Sequence, residues 1–88
     1  MFEAASRDES VIVKVGRRGD TVSVQLEPAA MDLTDHELAN RIVRLNTLAY
    51  LRSQLAIREE MYANRVEGIS VTLPTERQVE AYAATCDF

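Results

Sequence analysis

From Asp35 to Glu67 the chain contains neither glycine nor proline, although the whole sequence is only 88 residues long. Nothing in that stretch breaks a helix. A continuous helix of about 32 residues would be roughly 48 Å long at 1.5 Å per residue. Its start is well marked by Thr34-Asp35-His36-Glu37. The Thr34 hydroxyl can accept from the N–H of Glu37, and the Glu37 carboxylate can reach back to the N–H of Thr34. Asp35 and Glu37 also suit the positive end of the helix dipole. Leu38, Ile42, Leu45 and Ala49 recur at the helical period, and Leu48, Leu51, Leu55, Tyr62 and Val66 continue a stripe that drifts around the axis. Arg41, Arg44, Arg52, Arg58, Glu59, Glu60 and Arg65 fall on the wet side.

Before the helix, two short runs alternate. Val11, Val13 and Val15 share one face of a run over residues 9–15, and Val22, Val24 and Leu26 alternate with Thr21, Ser23, Gln25 and Glu27. Period-two patterns rich in β-branched residues fit half-buried strands. Gly16-Arg17-Arg18-Gly19-Asp20 joins them, and its two glycines are placed to supply the positive φ of a tight hairpin. Pro28 ends the second strand because it has no N–H to donate. Residues 1–8 show no period and read as a flexible arm or an extra turn of helix, leaving 9–88 as one hairpin-plus-helix domain. Ile69, Val71 and Leu73 alternate over five residues and offer a third short strand or an extended connector. Thr75-Glu76-Arg77-Gln78 is a second capping box, so a short helix is expected over about 76–85, burying Val79, Tyr82 and Ala83. The expected fold class is α+β: an antiparallel hairpin, one long helix and a short C-terminal helix.

A two-stranded hairpin is roughly 20 Å long and marginal alone. It would cover only half of the long helix; the short C-terminal helix can fold back over some of the other half, and a second chain can cover the rest. Small domains commonly recruit a disulfide, a metal or a second subunit to complete a modest core. One cysteine, Cys86, excludes an internal disulfide, and with the single His36 it leaves no zinc ligand set. Association with another copy or a related chain is the remaining supplement. Leu48, Leu51, Leu55, Tyr62 and Val66, with Val79 and Tyr82, are therefore the expected partner interface.

Little in the chain points to catalysis. His36 stands alone at a helix start, with no nucleophile or orienting group in a recognisable pattern. No glycine-rich phosphate loop or metal-ligand cluster is present, so the expectation is a non-enzymatic protein without cofactors. Arg18-Gly19-Asp20 spells an adhesion tripeptide, but turn chemistry accounts for its glycine and aspartate. With 14 acidic and 10 basic residues the net charge is −4, which does not favour nonspecific nucleic-acid binding. A local strip of Arg17, Arg18, Arg41, Arg44 and Arg52 is the one nucleic-acid surface to weigh, against the alternative of a solvated face with Arg–Glu pairs. No run of 18 apolar residues and no signal-peptide core occur, so the expected location is the cytoplasm, with leaderless export leaving no such mark.

Three blocks in a fixed order carry a family resemblance. They are Val22-Ser23-Val24 with Val11 and Val13; Glu37-Leu38-Ala39 with Ile42; and Leu73-Pro74-Thr75 followed by an alanine-rich, acidic helix. The order resembles the YbaB/EbfC group of small bacterial nucleoid-associated proteins, and more closely the mycobacterial EspD/EspH-like proteins that accompany type VII secretion systems. The resemblance spans about residues 10–85. It implies a YbaB-like fold, dimerisation and a setting beside type VII secretion, more than a mechanism; the functional expectation set beside it is a chaperone-like, protein-binding dimer acting on a secretion substrate or component, with a nucleoid-type DNA-binding dimer as the alternative. It carries no catalytic residues. Those secretion-associated proteins have a long acidic arm before the hairpin, where this chain has a short segment.

Overall fold

The computed structural model describes residues 1–64 and 73–88. Three antiparallel strands come first: β1 (Phe2–Ala5), β2 (Val11–Val15) and β3 (Thr21–Leu26), in the spatial order β1-β2-β3. A 3-10 turn over Pro28–Asp32 leads to α1 (Asp35–Ala63), and α2 (Glu76–Thr85) closes the chain. The class is α+β, with the sheet preceding the helices.

The hairpin forms where the alternation places it. Val11 pairs with Leu26 and Val13 with Val24, so the apolar members of both strands share one face of the sheet. Gly19 takes φ +87° at the tip, and it is the only glycine among the described residues with a positive φ, so one glycine rather than two makes the reversal. The register slips by one residue between Lys14 and Val15, leaving Val22 as the extra residue of a bulge in β3.

The N-terminus differs from expectation. Residues 2–5 are neither a loose arm nor a helical turn; they pair along β2, with Phe2 opposite Val15 and Ala4 opposite Val13. The intervening turn explains why. Asp8 accepts from the Ser6 hydroxyl (2.8 Å), the Ser10 N–H (3.0 Å) and the Ser10 hydroxyl (2.8 Å), while Glu9 adopts φ 59°. That knot reverses the chain and lays Ala4 on the inner face, where it is buried. The third strand is therefore N-terminal. Ile69 and Val71, the other candidates for it, lie outside the described residues, and Leu73 is in a bend.

Helix α1 begins at the expected cap: the Thr34 hydroxyl accepts from the Glu37 N–H at 3.1 Å. It ends sooner than Glu67, at Ala63 with Asn64 as its cap, which makes it roughly 44 Å long. The full reciprocal box occurs at α2, where Thr75 and Gln78 each bond the other's backbone N–H. Pro28 does more than stop β3, since it opens the 3-10 turn that buries Ala30.

The core lies between the sheet's inner face and α1. Ala4, Val11, Val13, Val15, Ala30, Leu45, Leu48, Ala49 and Val79 are buried, with Leu38, Ile42, Leu51, Leu55, Tyr82 and Ala83 packed around them. The helix rests on β1 and β2. The sheet's outer face is open to solvent and carries the cross-strand pair Glu3–Lys14 at 4.0 Å. No described helix is long and apolar enough to cross a membrane.

Candidate functional site

The stripe expected to meet a partner is mostly covered by this chain's own C-terminal helix. Arg58 donates to the Leu73 carbonyl at 3.0 Å, and Arg44 donates to the Thr85 carbonyl, so α2 lies antiparallel along α1. Leu48 and Val79 are buried between them, and Leu51, Leu55 and Tyr82 are partly buried against the same core. The expected fold-back of the short helix holds, with Val79 buried and Tyr82 and Ala83 half-buried; the expectation that Leu48 and Val79 also meet another molecule is corrected, because α2 and the core cover them within the chain. Tyr62 is exposed, with its ring under the Arg58 guanidinium at 5.5 Å. Val66 lies outside the described residues.

The arginine strip is likewise spent within the chain. Arg17 grips both carboxylate oxygens of Glu60 at 2.7 and 2.8 Å. Arg41 and Arg44 each lie 5.3 Å from the centre of the Phe88 ring. Arg52 donates to the Glu3 carbonyl at 2.6 Å. Of the five, Arg18 at the hairpin tip is exposed and has no hydrogen bond or ion pair among the described residues. Four of the five guanidinium groups therefore have partners of their own within the chain, at Glu60, the Phe88 ring and the Glu3 carbonyl.

What is open lies on the opposite flank of α1. All six residues of β3 are exposed, although Val24 and Leu26 belong to the inner face. Val22 retains 48%, Val24 40% and Leu26 40% of its surface, where their counterparts Val11 and Val13 on β2 retain none. The offset of α1 over β1 and β2 causes this, because the helix does not extend over β3. Instead, one side of α1 borders that strand. The Thr21 hydroxyl donates to Asn46 Oδ1 at 2.6 Å, and the Tyr50 ring lies against Gly19. Val43 and Tyr50, on the same side of the helix as Asn46, are both exposed, as is Met31 just beyond β3. Exposed apolar side chains thus lie both on β3 and on the flank of α1 that borders it. Exposed apolar surface gathered in this way marks an interaction site more often than a solvated face.

Val43, Tyr50 and Met31 escape a sequence reading because none belongs to the main stripe. The signal that finds the first two is the seven-residue spacing of Val43 and Tyr50 around Asn46, a second and narrower line on the same helix; Met31, in the 3-10 turn, has no such signal.

The two sheet edges are treated differently. On β1, Arg52 occupies the Glu3 carbonyl, and the Arg7 N–H just beyond the strand donates to the Phe88 carbonyl at 2.7 Å. On β3, the N–H of Glu27 donates inward to the Ser10 carbonyl at 2.8 Å. Backbone groups alternate in an antiparallel ladder, so those of Leu26 and Val24 point outward. No hydrogen bond among the described residues meets them.

A cleft of about 170 Å³ opens beside the hairpin tip, lined by Met1, Phe2, Arg17, Ser53, Ala56, Ile57 and Glu60. Its charged groups are the Arg17–Glu60 pair, already satisfied by each other, and the Ser53 hydroxyl bonds the Tyr50 carbonyl at 2.6 Å. No group of three His, Cys, Asp or Glu side chains suited to a metal occurs among the described residues. His36 is exposed at the helix start and Cys86 is half-buried at the end of α2. No family model, curated protein or solved structure matches this chain.

Proposed function

We propose that this protein is a non-enzymatic, dimeric protein-binding module, an accessory or chaperone-like subunit that dimerises through an exposed apolar surface. One observation carries the reading: the inner face of β3 stays uncovered while every other inner-facing apolar residue of the sheet is buried or half-buried. Val22, Val24 and Leu26, flanked by Met31, Val43 and Tyr50, form a surface that water covers at a cost. Burying each side chain fully is worth roughly 1.5–3 kcal/mol. The order of its hairpin, helix and Leu73-Pro74-Thr75 blocks supports a setting beside type VII secretion, with a secretion substrate or component as the bound protein.

Sedimentation equilibrium over a wide range of concentrations tests the dimer. The expected result is a reversible dimer whose dissociation constant rises on replacing Val43 and Tyr50 with serine. A single mass of 9.9 kDa at every concentration would remove the reading. The nucleoid-type alternative draws less support, because Arg17, Arg41, Arg44 and Arg52 already have partners within the chain. A mobility shift at low salt, abolished at high salt and by glutamates at Arg41, Arg44 and Arg52, would restore it.

A further inference from the structure

We infer that the occupant of the open β3 edge is the β3 edge of a second copy, paired antiparallel about a two-fold axis at Val24; this rests on the dimeric reading above and names its interface. Three observations converge on a second copy. Thr21–Leu26 carries no charge, so two copies meet without repulsion along the strand. Exposed edges are ordinarily blunted by charge, proline or a covering element. Here β1 carries the charged Glu3 and has its Glu3 carbonyl met by Arg52, whereas β3 has only the bulge at Val22.

The strand is also self-complementary in one register. Antiparallel strands place directly opposed residues on the same face. With Val24 opposite Val24, Ser23 meets Gln25 and Val22 meets Leu26, so apolar faces apolar and polar faces polar along the strand. The outward N–H and C=O of Val24 then bond their symmetry mates. Shifting the axis to Ser23 would set Leu26 against Asp20, which disfavours that register. An isologous contact of this kind closes at two chains. The bulge at Val22 ends the ladder on one side, and the protected β1 strands become the outer edges of a continuous sheet of twice three strands. Val43 and Tyr50 of both copies then lie on one face of that sheet and extend the contact beyond the strands.

The test uses the whole chain. Ala5, exposed on β1, is replaced by cysteine in a Cys86→Ser background and spin-labelled. Five inter-strand spacings of about 4.8 Å separate the two β1 strands, so the inter-label distance is expected near 24 Å. In parallel, Val24→Glu sets two carboxylates face to face at the axis. Like charges so juxtaposed raise the dissociation constant by at least about 100-fold, with the circular dichroism of the monomer unchanged because Val24 is exposed in the single chain. A dimer with that distance, split by Val24→Glu, supports the pairing. A dimer whose labels lie at a very different distance, or which survives Val24→Glu, overturns the β3 interface and leaves the dimeric reading standing. A wild-type chain that stays monomeric at millimolar concentration overturns both. Should Val24→Glu fail to fold, the label distance alone decides.

Discussion

The Tyr50 ring occupies the space where a side chain at Gly19 would begin: a Cβ built on Gly19 would lie 2.7 Å from Tyr50 Cε2 and 2.8 Å from Cδ2. The hairpin tip is thus seated on α1 by a contact that only glycine permits. Gly19 also holds φ +87°, a conformation L-residues adopt at a cost. Gly19→Ala combines both penalties and should destabilise the chain by about 1–3 kcal/mol in urea unfolding. Tyr50→Ala in the same background should recover part of the loss, since it removes the collision and leaves the backbone strain. Wild-type stability in Gly19→Ala would mean the tip is not held against the helix.

The β1–β2 turn has its own acid dependence. Hydrogen bonds from the Ser10 backbone, the Ser10 hydroxyl and the Ser6 hydroxyl hold the Asp8 carboxyl down at about 2, from an ordinary 3.8. A carboxylate with a depressed pKa favours the folded turn fully above its unfolded value, and that contribution is lost as pH falls from near 3.8 through about 2. The Ser10 amide proton, followed by NMR, should titrate with a midpoint near 2 and should lose that transition in Asp8→Asn. A midpoint near 3.8 would show that the carboxylate does not accept these bonds in solution.

Leu45 is fully buried between α1 and the sheet, whereas Val43, two residues earlier, is exposed. Leu45→Ala should cost about 2–5 kcal/mol from lost contacts and the cavity left behind. Val43→Ala should lie within about 0.5 kcal/mol of wild type when measured on the monomer at high dilution. Comparable losses at the two positions would contradict the orientation of α1.

Leu55 separates the expected and observed roles of the helical stripe. It packs against the core beside α2, so Leu55→Asp should lower the melting temperature of the monomer and detach α2. A fully folded Leu55→Asp chain of halved mass would instead return the interface to the stripe that includes Leu48, Leu51 and Tyr62.

Much of this architecture is legible in the residues alone. The hairpin follows from the alternation of Val11, Val13, Val22, Val24 and Leu26, and both helix starts follow from Thr34 and Thr75. These are local signals, settled within a few residues. Strand β1 is not legible, because Phe2-Glu3-Ala4-Ala5 has no β-branched residue and becomes a strand only by pairing with β2 after the Asp8 turn. The same holds for what covers what. Leu48 and Leu55 have the periodicity of residues that need a neighbour, and the second capping box points to a helix that can fold back on them; how much of the stripe that helix covers is decided only by the antiparallel packing of α2 along α1. Conversely, Val24 and Leu26 alternate like any inner-facing pair, and only the offset of α1 toward β1 leaves them bare. An apolar period says that a face seeks cover; the tertiary arrangement decides from where it comes.

The most direct measurement is hydrogen exchange at the Val24 and Leu26 amides as a function of protein concentration. Both point away from β2, so an isolated chain offers them no acceptor. Slow exchange at these two positions that strengthens with concentration, while the Val11 and Val13 amides stay protected throughout, is the result expected if another strand completes the sheet there. Exchange at the rate of an unstructured peptide at every concentration, with the rest of the sheet protected, would contradict it.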